Sequence, residues 1–285
     1  MVFIGAHISR ETTLMGTIEK IRDNKGNALQ IFASNPRGTK ITNLNEKFFG
    51  NLNEIKSYIN KNNFAIVIHN PYTINLATPF INGKKALEIK DCYWIQLLIH
   101  ELKIAHQLGS YGCVVHCGKY TKNTPEEGLN NMKRSLKFII TEIKRLKLTS
   151  RIILETSTGQ GTELLYKYED FLDFYNSFSE DDKNFLKICI DTCHIWAAGY
   201  ELMEILQITR KKGNMKDIGV IHINNSKNPK ESHLDRHEII REGYINLEEI
   251  ILFIKQMKTN NSELILILET PDEKNLNEEI AIINK

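Results

Sequence analysis

The sequence predicts one α/β domain, a single (β/α)8 barrel that spans residues 1–285. Short apolar runs rich in β-branched residues recur eight times along the chain, and longer segments with helical spacing separate them. The short runs are continuously apolar rather than alternating, which is typical of parallel strands that are buried on both faces. No linker, low-complexity stretch or change of composition marks a second domain. Together these observations favour the TIM-barrel architecture.

The elements follow one another in regular order. The predicted strands are residues 2–9, 28–34, 64–70, 112–118, 151–157, 186–192, 218–224 and 264–270. Helical patterns are clearest at residues 86–109 and 129–147. The loops 35–45 and 225–244 are longer than a compact barrel requires, and long loops are usually functional or disordered. The second contains a cluster of His and Asp residues, which favours a function. Because active sites of such barrels are built at the carboxyl ends of the strands, we expect the functional site there.

Composition limits the class of protein and of partner. The chain has 285 residues with 41% hydrophobic and 25% charged residues, as in a soluble globular protein. The formal net charge is only +2, so a nucleic-acid partner would need a locally basic surface. The sequence lacks a signal-peptide pattern and an apolar run of the ~20 residues that a membrane span needs. Its five cysteines are an odd number, which argues against a secreted disulfide framework. We expect a soluble intracellular protein, in cytoplasm or nucleus, with no membrane partner.

Six consecutive predicted strands each end with one ionisable residue: His69, His116, Glu155, Asp191, His222 and Glu269. Taken singly, a strand-end histidine is more often a structural hydrogen-bonding residue, and a glutamate is often a cap or an ion-pair partner. Taken together, carboxylates that converge at one barrel mouth would repel one another unless protons or cations neutralise them. A mixed histidine and carboxylate set suits zinc or a similar transition metal. The sequence therefore predicts a metal site at the carboxyl ends of the strands.

Further candidates lie in the loops. Asp235 and His237 are two residues apart, a spacing that places both side chains on one side of an extended segment. His194, three residues after Asp191, can complete that set. We interpret His233 as a possible decoy, and His100 and His106 as residues of a helix surface. The five cysteines are not arranged in CxxC-type pairs, and we interpret them as structural or neutral residues.

The chain resembles the endonuclease IV family of zinc-dependent apurinic/apyrimidinic endonucleases over essentially its whole length. The stretches that resemble the family are FIGAHIS, IFASNPR, HNPYTINLA, VVHCG, ILETSTGQGTEL, CIDTCHIWAAGYEL, HINNSK, LDRHE and LILET. The resemblance implies three Zn²⁺ per chain, with Mn²⁺ as an alternative at one site. The implied ligand sets are His69, His116 and Glu155; Glu155, Asp191, His222 and Glu269; and His194, Asp235 and His237.

The resemblance also implies a reaction. Hydroxide held between two zincs would attack phosphorus in line, while the third zinc stabilises the leaving 3′ oxygen. Glu155 would bridge the first pair of ions, and Glu269 would orient the nucleophile. The substrate would be damaged double-stranded DNA, cut on the 5′ side of an abasic site to leave 3′-hydroxyl and 5′-deoxyribose phosphate ends. Trimming of blocked 3′ ends is the implied second activity, and we expect a monomer.

Two residues stand where the family inserts loops into the minor groove, Arg37 and Tyr72. Without the resemblance, they would be interpreted as a solvated arginine and a rim tyrosine. The surrounding loops depart from the family pattern at Pro36, Gly38 and Thr73, so groove penetration is expected to be weaker or to use other residues such as Lys40. Two further departures lie after the seventh strand: Asn225, expected to support a ligand, and Arg241, expected to contact a phosphate or to have no role.

Two rival functions remain at this point. A sugar isomerase or epimerase of the same fold also uses histidine and carboxylate ligands, but it needs only one or two metals, which leaves His194, Asp235 and His237 without a purpose. A damage-binding protein without activity would require a lost ligand, and every ligand position is filled.

Overall fold

The computed structural model describes residues 2–41 and 47–284, and it is built around a closed barrel of eight parallel strands. The strands are β1 Phe3–His7, β2 Ala28–Phe32, β3 Ala65–His69, β4 Gly112–His116, β5 Arg151–Glu155, β6 Leu186–Asp191, β7 Ile218–Ile223 and β8 Ile265–Leu268. Each strand pairs with its neighbour in sequence, and β8 closes the barrel by pairing with β1. The predicted fold class is confirmed, and each strand lies within its predicted segment.

Helices connect the strands on the outside of the barrel. They are α1 Leu14–Asp23, α2 Leu52–Asn62, α3 Tyr93–Leu108, α4 Pro125–Arg145, α5 Tyr168–Asn176, α6 Glu180–Lys183, α7 Thr192–Ala197, α8 Leu202–Lys212, α9 Leu247–Asn260 and α10 Leu276–Ile283. Short antiparallel pairs join residues 81–82 to 85–86 and residues 225–226 to 237–238. Among the described residues, no helix is long and apolar enough to cross a membrane.

Apolar side chains fill the barrel on both sides of the strands. The interior is packed by Ala28, Ala65, Val67, Val114, Ile153, Cys189, Val220, Ile265 and Ile267, all buried. A larger cluster lies between the outer faces of the strands and the helices. This double burial is the reason for the continuous apolar runs, and it leaves the strand ends as the place for polar groups.

The predicted bounds of two helices required correction. Residues 86–109 were expected to form one helix, but α3 begins only at Tyr93, because Ala86 pairs with Ile81 and a 3-10 turn occupies residues 89–91. Helix α4 begins four residues before the predicted 129. Thr124 accepts from the Glu127 amide while the Glu127 side chain accepts from the Thr124 amide, a capping box that starts the helix at Pro125.

Candidate metal centre

The structure brings all nine predicted ligand residues together at the carboxyl ends of the strands. His69, His116, Glu155 and Asp191 are the last residues of β3, β4, β5 and β6. The others are His222 within β7, Glu269 directly after β8, and His194, Asp235 and His237 in the segments that follow β6 and β7. They form three groups: His69, His116 and Glu155; Glu155, Asp191, His222 and Glu269; and His194, Asp235 and His237. Within each group the candidate ligand atoms lie within 4.8 Å of one another.

Glu155 is shared by two of the groups, because its two carboxylate oxygens face opposite ways. Its Oε2 lies 3.3 Å from His116 Nε2 and 3.6 Å from His69 Nε2. Its Oε1 lies 2.9 Å from His222 Nδ1. The Glu155 side chain is 1% exposed. A carboxylate in this position can bridge two cations.

The second group surrounds the Nδ1 atom of His222. This nitrogen lies 3.2 Å from Glu269 Oε2 and 3.7 Å from Asp191 Oδ2, besides its contact with Glu155. His222 and Asp191 are completely buried. Three carboxylates around one imidazole nitrogen make a site of high negative charge, which a divalent cation would neutralise.

The third group depends on the short helix α7. Asp191 caps this helix, since its Oδ1 accepts from the His194 amide at 2.9 Å. His194 Nε2 then lies 3.4 Å from Asp235 Oδ1, and His237 Nε2 lies 3.1 Å from the same oxygen. The spacing of Asp235 and His237 thus places both side chains on one side, as predicted.

Hydrogen bonds orient most of these imidazole rings. Nδ1 donates to a backbone carbonyl in His69 (to Asn70, 2.8 Å), His194 (to Thr156, 2.8 Å) and His237 (to Glu269, 3.2 Å). In each case Nε2 faces carboxylates, and in the neutral ring it is the nitrogen that can bind a metal. His222 has the opposite arrangement, because its Nε2 is hydrogen bonded to Gln30 Oε1 and its Nδ1 faces the site. This second hydrogen bond is the usual device that fixes the tautomer of a metal-binding histidine.

The charges of the site perturb one another strongly. Burial would raise the pKa of Glu155, but His116 and His222 outweigh it and hold the pKa well below its usual range. Burial would likewise lower the pKa of His237, yet Asp191 and Asp235 raise it to about 9. Burial dominates at His116, whose pKa is lowered despite Glu155. The Glu155 carboxylate thus stays ionised and attracts cations, whether protons on histidine or metal ions.

Three buried atoms indicate that the residues fit a metal. Glu155 Oε2, His194 Nε2 and His237 Nε2 are inaccessible to solvent and have no hydrogen-bond partner among the described residues. A buried polar atom without a partner costs roughly 1–3 kcal/mol, and more when it is charged. Each of the three faces one of the ligand groups, so cations coordinated there would remove this cost.

Two further histidines and the five cysteines have other surroundings. His233 Nδ1 donates to the Thr158 carbonyl and its ring packs on Tyr166, and His106 contacts Thr149. All five cysteines are buried free thiols. Cys189 and Cys193 do lie close to the ligands, but burial raises the pKa of each to about 12, which disfavours the thiolate that binds metal.

Three polar residues of the site were missed from the sequence. His7 contacts Glu269, Gln30 contacts both His222 and Glu269, and Asn224 donates to Asp191 Oδ2 at 2.7 Å. His7 is the last residue of β1, so the strand-end rule, extended to the first strand, would have found it. A glutamine inside the apolar run ALQIF was a signal for Gln30.

The two departures after β7 have structural explanations. Asn225 was expected to support a ligand, and this was wrong: its amide binds the backbone of Ile240, Ile245 and Ser226. It thereby closes the loop that bears Asp235 and His237. A side chain at Gly243 would lie 2.2 Å from Asn225 Oδ1, which explains the glycine. Arg241 pairs with Glu278 at 3.0 Å on the surface.

The rim of the mouth contains both predicted DNA-contacting residues. The Tyr72 ring packs against His69, His116 and Phe32, with centroids 5.4–5.7 Å apart, and its exposed fraction is 59%. Arg37 is exposed. The loop of Arg37 is bound to that of Tyr72, because Pro36 O accepts from the Tyr72 amide and Gly38 O accepts from Thr73 Oγ1 at 2.7 Å. Thr73, which departs from the family pattern, therefore links the two loops. Residues 42–45 of the predicted loop lie outside the described residues.

A cavity of about 290 Å³ lies between the ligands and this rim, lined by Tyr72, Asn75, Lys119 and Gln160 among others. Fold and site together define the class: an α/β barrel with clustered imidazole and carboxylate groups at its mouth. In agreement, the family described as "Xylose isomerase-like TIM barrel" matches residues 18–285.

Relatives similar over nearly the whole chain carry a more specific name. The chain is 32% identical to the probable endonuclease 4 of Mycoplasmopsis synoviae over 95% of this chain and 93% of the relative. It is 31% identical to that of Mesomycoplasma hyopneumoniae over 100% and 99%. The chain therefore belongs to the endonuclease IV family.

Solved structures show the same fold. Endonuclease IV from Thermus thermophilus superposes with a TM-score of 0.75 at 21% identity, covering 99% of this chain and 97% of the other. A D-tagatose 3-epimerase-like protein superposes with a TM-score of 0.70 at 22% identity, covering 99% and 98%. Because both identities are low, they demonstrate the barrel and do not separate the two chemistries.

Proposed function

We propose that this protein is a metal-dependent DNA repair endonuclease that hydrolyses the phosphodiester bond on the 5′ side of abasic sites in duplex DNA. The products would be 3′-hydroxyl and 5′-deoxyribose phosphate ends, and the same site would trim blocked 3′ ends. The protein would act as a monomer and bind three Zn²⁺, with Mn²⁺ as an alternative at one site.

The observation that carries the proposal is the third ligand group. His194, Asp235 and His237 assemble beside the first two groups, and two of their nitrogens are buried without a hydrogen-bond partner among the described residues. A one- or two-metal sugar isomerase has no use for this group. Phosphodiester hydrolysis does, because charge develops on the attacking oxygen, on the phosphate and on the leaving oxygen. When bound, the ions would lower the pKa of water and neutralise this charge.

The residues of the chain have separate roles in this proposal. Glu155 would hold the first two ions at a fixed spacing, since its two oxygens face different groups. Glu269 would orient the nucleophile, because its carboxylate borders the cavity and is 12% exposed. Asp235 is more accessible at 37%, as expected of a residue beside the leaving group.

The rim would supply recognition. Tyr72 and Arg37, on two loops that are bonded to each other, would enter the minor groove at the lesion. An abasic nucleotide has no base to unpair or unstack, so it is extruded at a lower cost than an intact one.

The test is a duplex with one tetrahydrofuran abasic analogue, incubated with zinc-loaded protein, with and without a chelator. We expect a single nick 5′ to the analogue, with a 3′-hydroxyl that a polymerase extends, and loss of cutting with chelator. An intact duplex at every concentration of zinc-loaded protein would refute the proposal. A ketohexose epimerisation assay on the same preparation tests the rival, and turnover there without nicking would favour it.

A further inference from the structure

Gln30 is a buried carboxamide in the mouth of the barrel that belongs to none of the three ligand groups. It lies in the middle of β2, between apolar neighbours, and is completely buried. Burying an amide is costly unless it is hydrogen bonded. Its partners therefore indicate why it is there.

Both ends of the Gln30 amide contact residues of the second ligand group. Its Oε1 lies 2.9 Å from His222 Nε2, and its Nε2 donates to Glu269 Oε1. The same Nε2 lies 3.1 Å from His7 Nδ1, which itself lies 3.0 Å from Glu269 Oε1. One side chain thus spans two ligands that are far apart in sequence.

Chemistry permits one orientation of this amide. The Glu269 carboxylate can only accept hydrogen bonds, so the amide must present its NH₂ group to Glu269. The amide oxygen then faces His222, and this oxygen can only accept. His222 must therefore carry a proton on Nε2, so in the neutral ring that a metal requires, Nδ1 is the nitrogen free to coordinate, beside Glu155, Asp191 and Glu269.

We propose that Gln30 is a positioning residue of the second ligand group. It selects the Nδ1-coordinating form of His222 and holds Glu269 in the matching place, so that the group is organised before an ion arrives. This inference rests on the proposed function only in taking that group as a metal site. Asn224 also holds the second ligand group in place, since it donates to Asp191 and accepts from the Glu269 backbone amide at 3.0 Å.

The test compares metal binding by the wild type, Gln30→Met and Gln30→Glu. Methionine preserves length and removes both hydrogen bonds, whereas glutamate keeps the acceptor for His222 and loses the donor to Glu269. Zinc affinities are measured site by site by competition with a chromophoric chelator, and the visible spectrum of the cobalt-loaded protein reports coordination. Ser135→Ala is the matched control, because it removes a buried hydrogen bond, to Leu76 O, that involves no ligand residue.

In Gln30→Met we expect one of the ions to bind roughly 10- to 100-fold more weakly, as for other residues that orient metal ligands, while the remaining ions keep their affinity. The cobalt bands of that ion alone should change. The zinc affinity of Gln30→Glu at the same site should lie between those of the wild type and Gln30→Met. On abasic duplex, the kcat of Gln30→Met should fall, whereas its KM should stay within about twofold of the wild-type value. Ser135→Ala should lower Tm and leave every zinc affinity unchanged.

Two results would overturn the inference. One is wild-type affinity at every site in Gln30→Met; the other is equal weakening at all sites, which would mean a general loss of structure. If Gln30→Met does not fold, Gln30→Glu decides between the same outcomes. If the wild type binds zinc and cuts no DNA, the proposed function fails while the affinity data still test Gln30. A wild type that binds no zinc would refute both.

Discussion

The floor and the rim of the barrel mouth differ in how they are built. The floor, formed by the nine ligand residues with Gln30 and Asn224, is mostly buried and internally hydrogen bonded. The rim, formed by the loops of Arg37 and Tyr72, is exposed, and hydrogen bonds between the two loops join them. A rigid floor suits chemistry that needs fixed distances, and an exposed rim suits contact with a large substrate. Changes in the floor should therefore affect turnover, and changes in the rim should affect binding and discrimination.

The floor should respond most strongly. In Glu269→Ala we expect kcat on abasic duplex to fall by roughly 1,000-fold or more, because a ligand and the group that orients the nucleophile are lost together. Binding of abasic DNA, measured by fluorescence anisotropy, should change little. Retained cutting would mean that Glu269 is not part of the reactive site, and a parallel loss of binding would remove the distinction between floor and rim.

Tyr72 joins the two regions, since its ring packs on His69 and His116 while the residue is 59% exposed. Tyr72→Ala should weaken abasic-DNA binding by roughly 10- to 100-fold, the usual effect of removing an aromatic stacking surface. Tyr72→Phe keeps the ring and should stay within about twofold. Equal losses in both variants would assign the effect to the hydroxyl.

Arg37 belongs to the rim alone. Arg37→Ala should lower the ratio of abasic to intact DNA affinity by about tenfold, which corresponds to about 1.4 kcal/mol, and leave kcat unchanged. Arg210→Ala is the control, because Arg210 is an exposed arginine on the outer face of α8. If the two variants behave alike, Arg37 contributes only general charge.

Stability, rather than catalysis or DNA binding, should respond to Glu101. This buried residue of α3 accepts from the hydroxyl of Ser34, beside the loop of Arg37. Burial raises the pKa of Glu101 from 4.5 to about 7, against the lowering effects of Ser34 and Arg10. The folded state therefore holds a proton that the unfolded state releases, and the free energy of unfolding falls as pH rises from about 4.5 to above 7, by roughly 3 kcal/mol.

Glu101→Gln removes this titration. Its stability relative to the wild type, from urea unfolding at several pH values, should increase between pH 5 and pH 8. Metal ligands contribute equally to both proteins and cancel in the difference. A difference that stays constant with pH would show that Glu101 remains ionised in the folded protein.

The floor was largely predictable from sequence and the rim was not. His69, His116 and Glu155 could be found because parallel strands end at one face, whatever the details of packing. Gln30 was missed because the contact of a mid-strand residue depends on barrel curvature, which brings β2 opposite β7 and β8. Asn225 was misjudged because a position near a ligand in sequence does not indicate which way a side chain points. The conformation of the Arg37 loop depends on hydrogen bonds to Thr73 and Tyr72, which no local pattern encodes.

Asp191 occupies two structural roles at once, and this has a thermodynamic consequence. One of its oxygens faces the second ligand group, and the other caps the helix that positions His194 of the third. An ion that orders Asp191 therefore also orders the cap of the helix that positions His194. An ion bound by His194 orders that helix and with it Asp191. The loading of the two groups should thus be cooperative, with each ion raising the affinity of the other by the same factor.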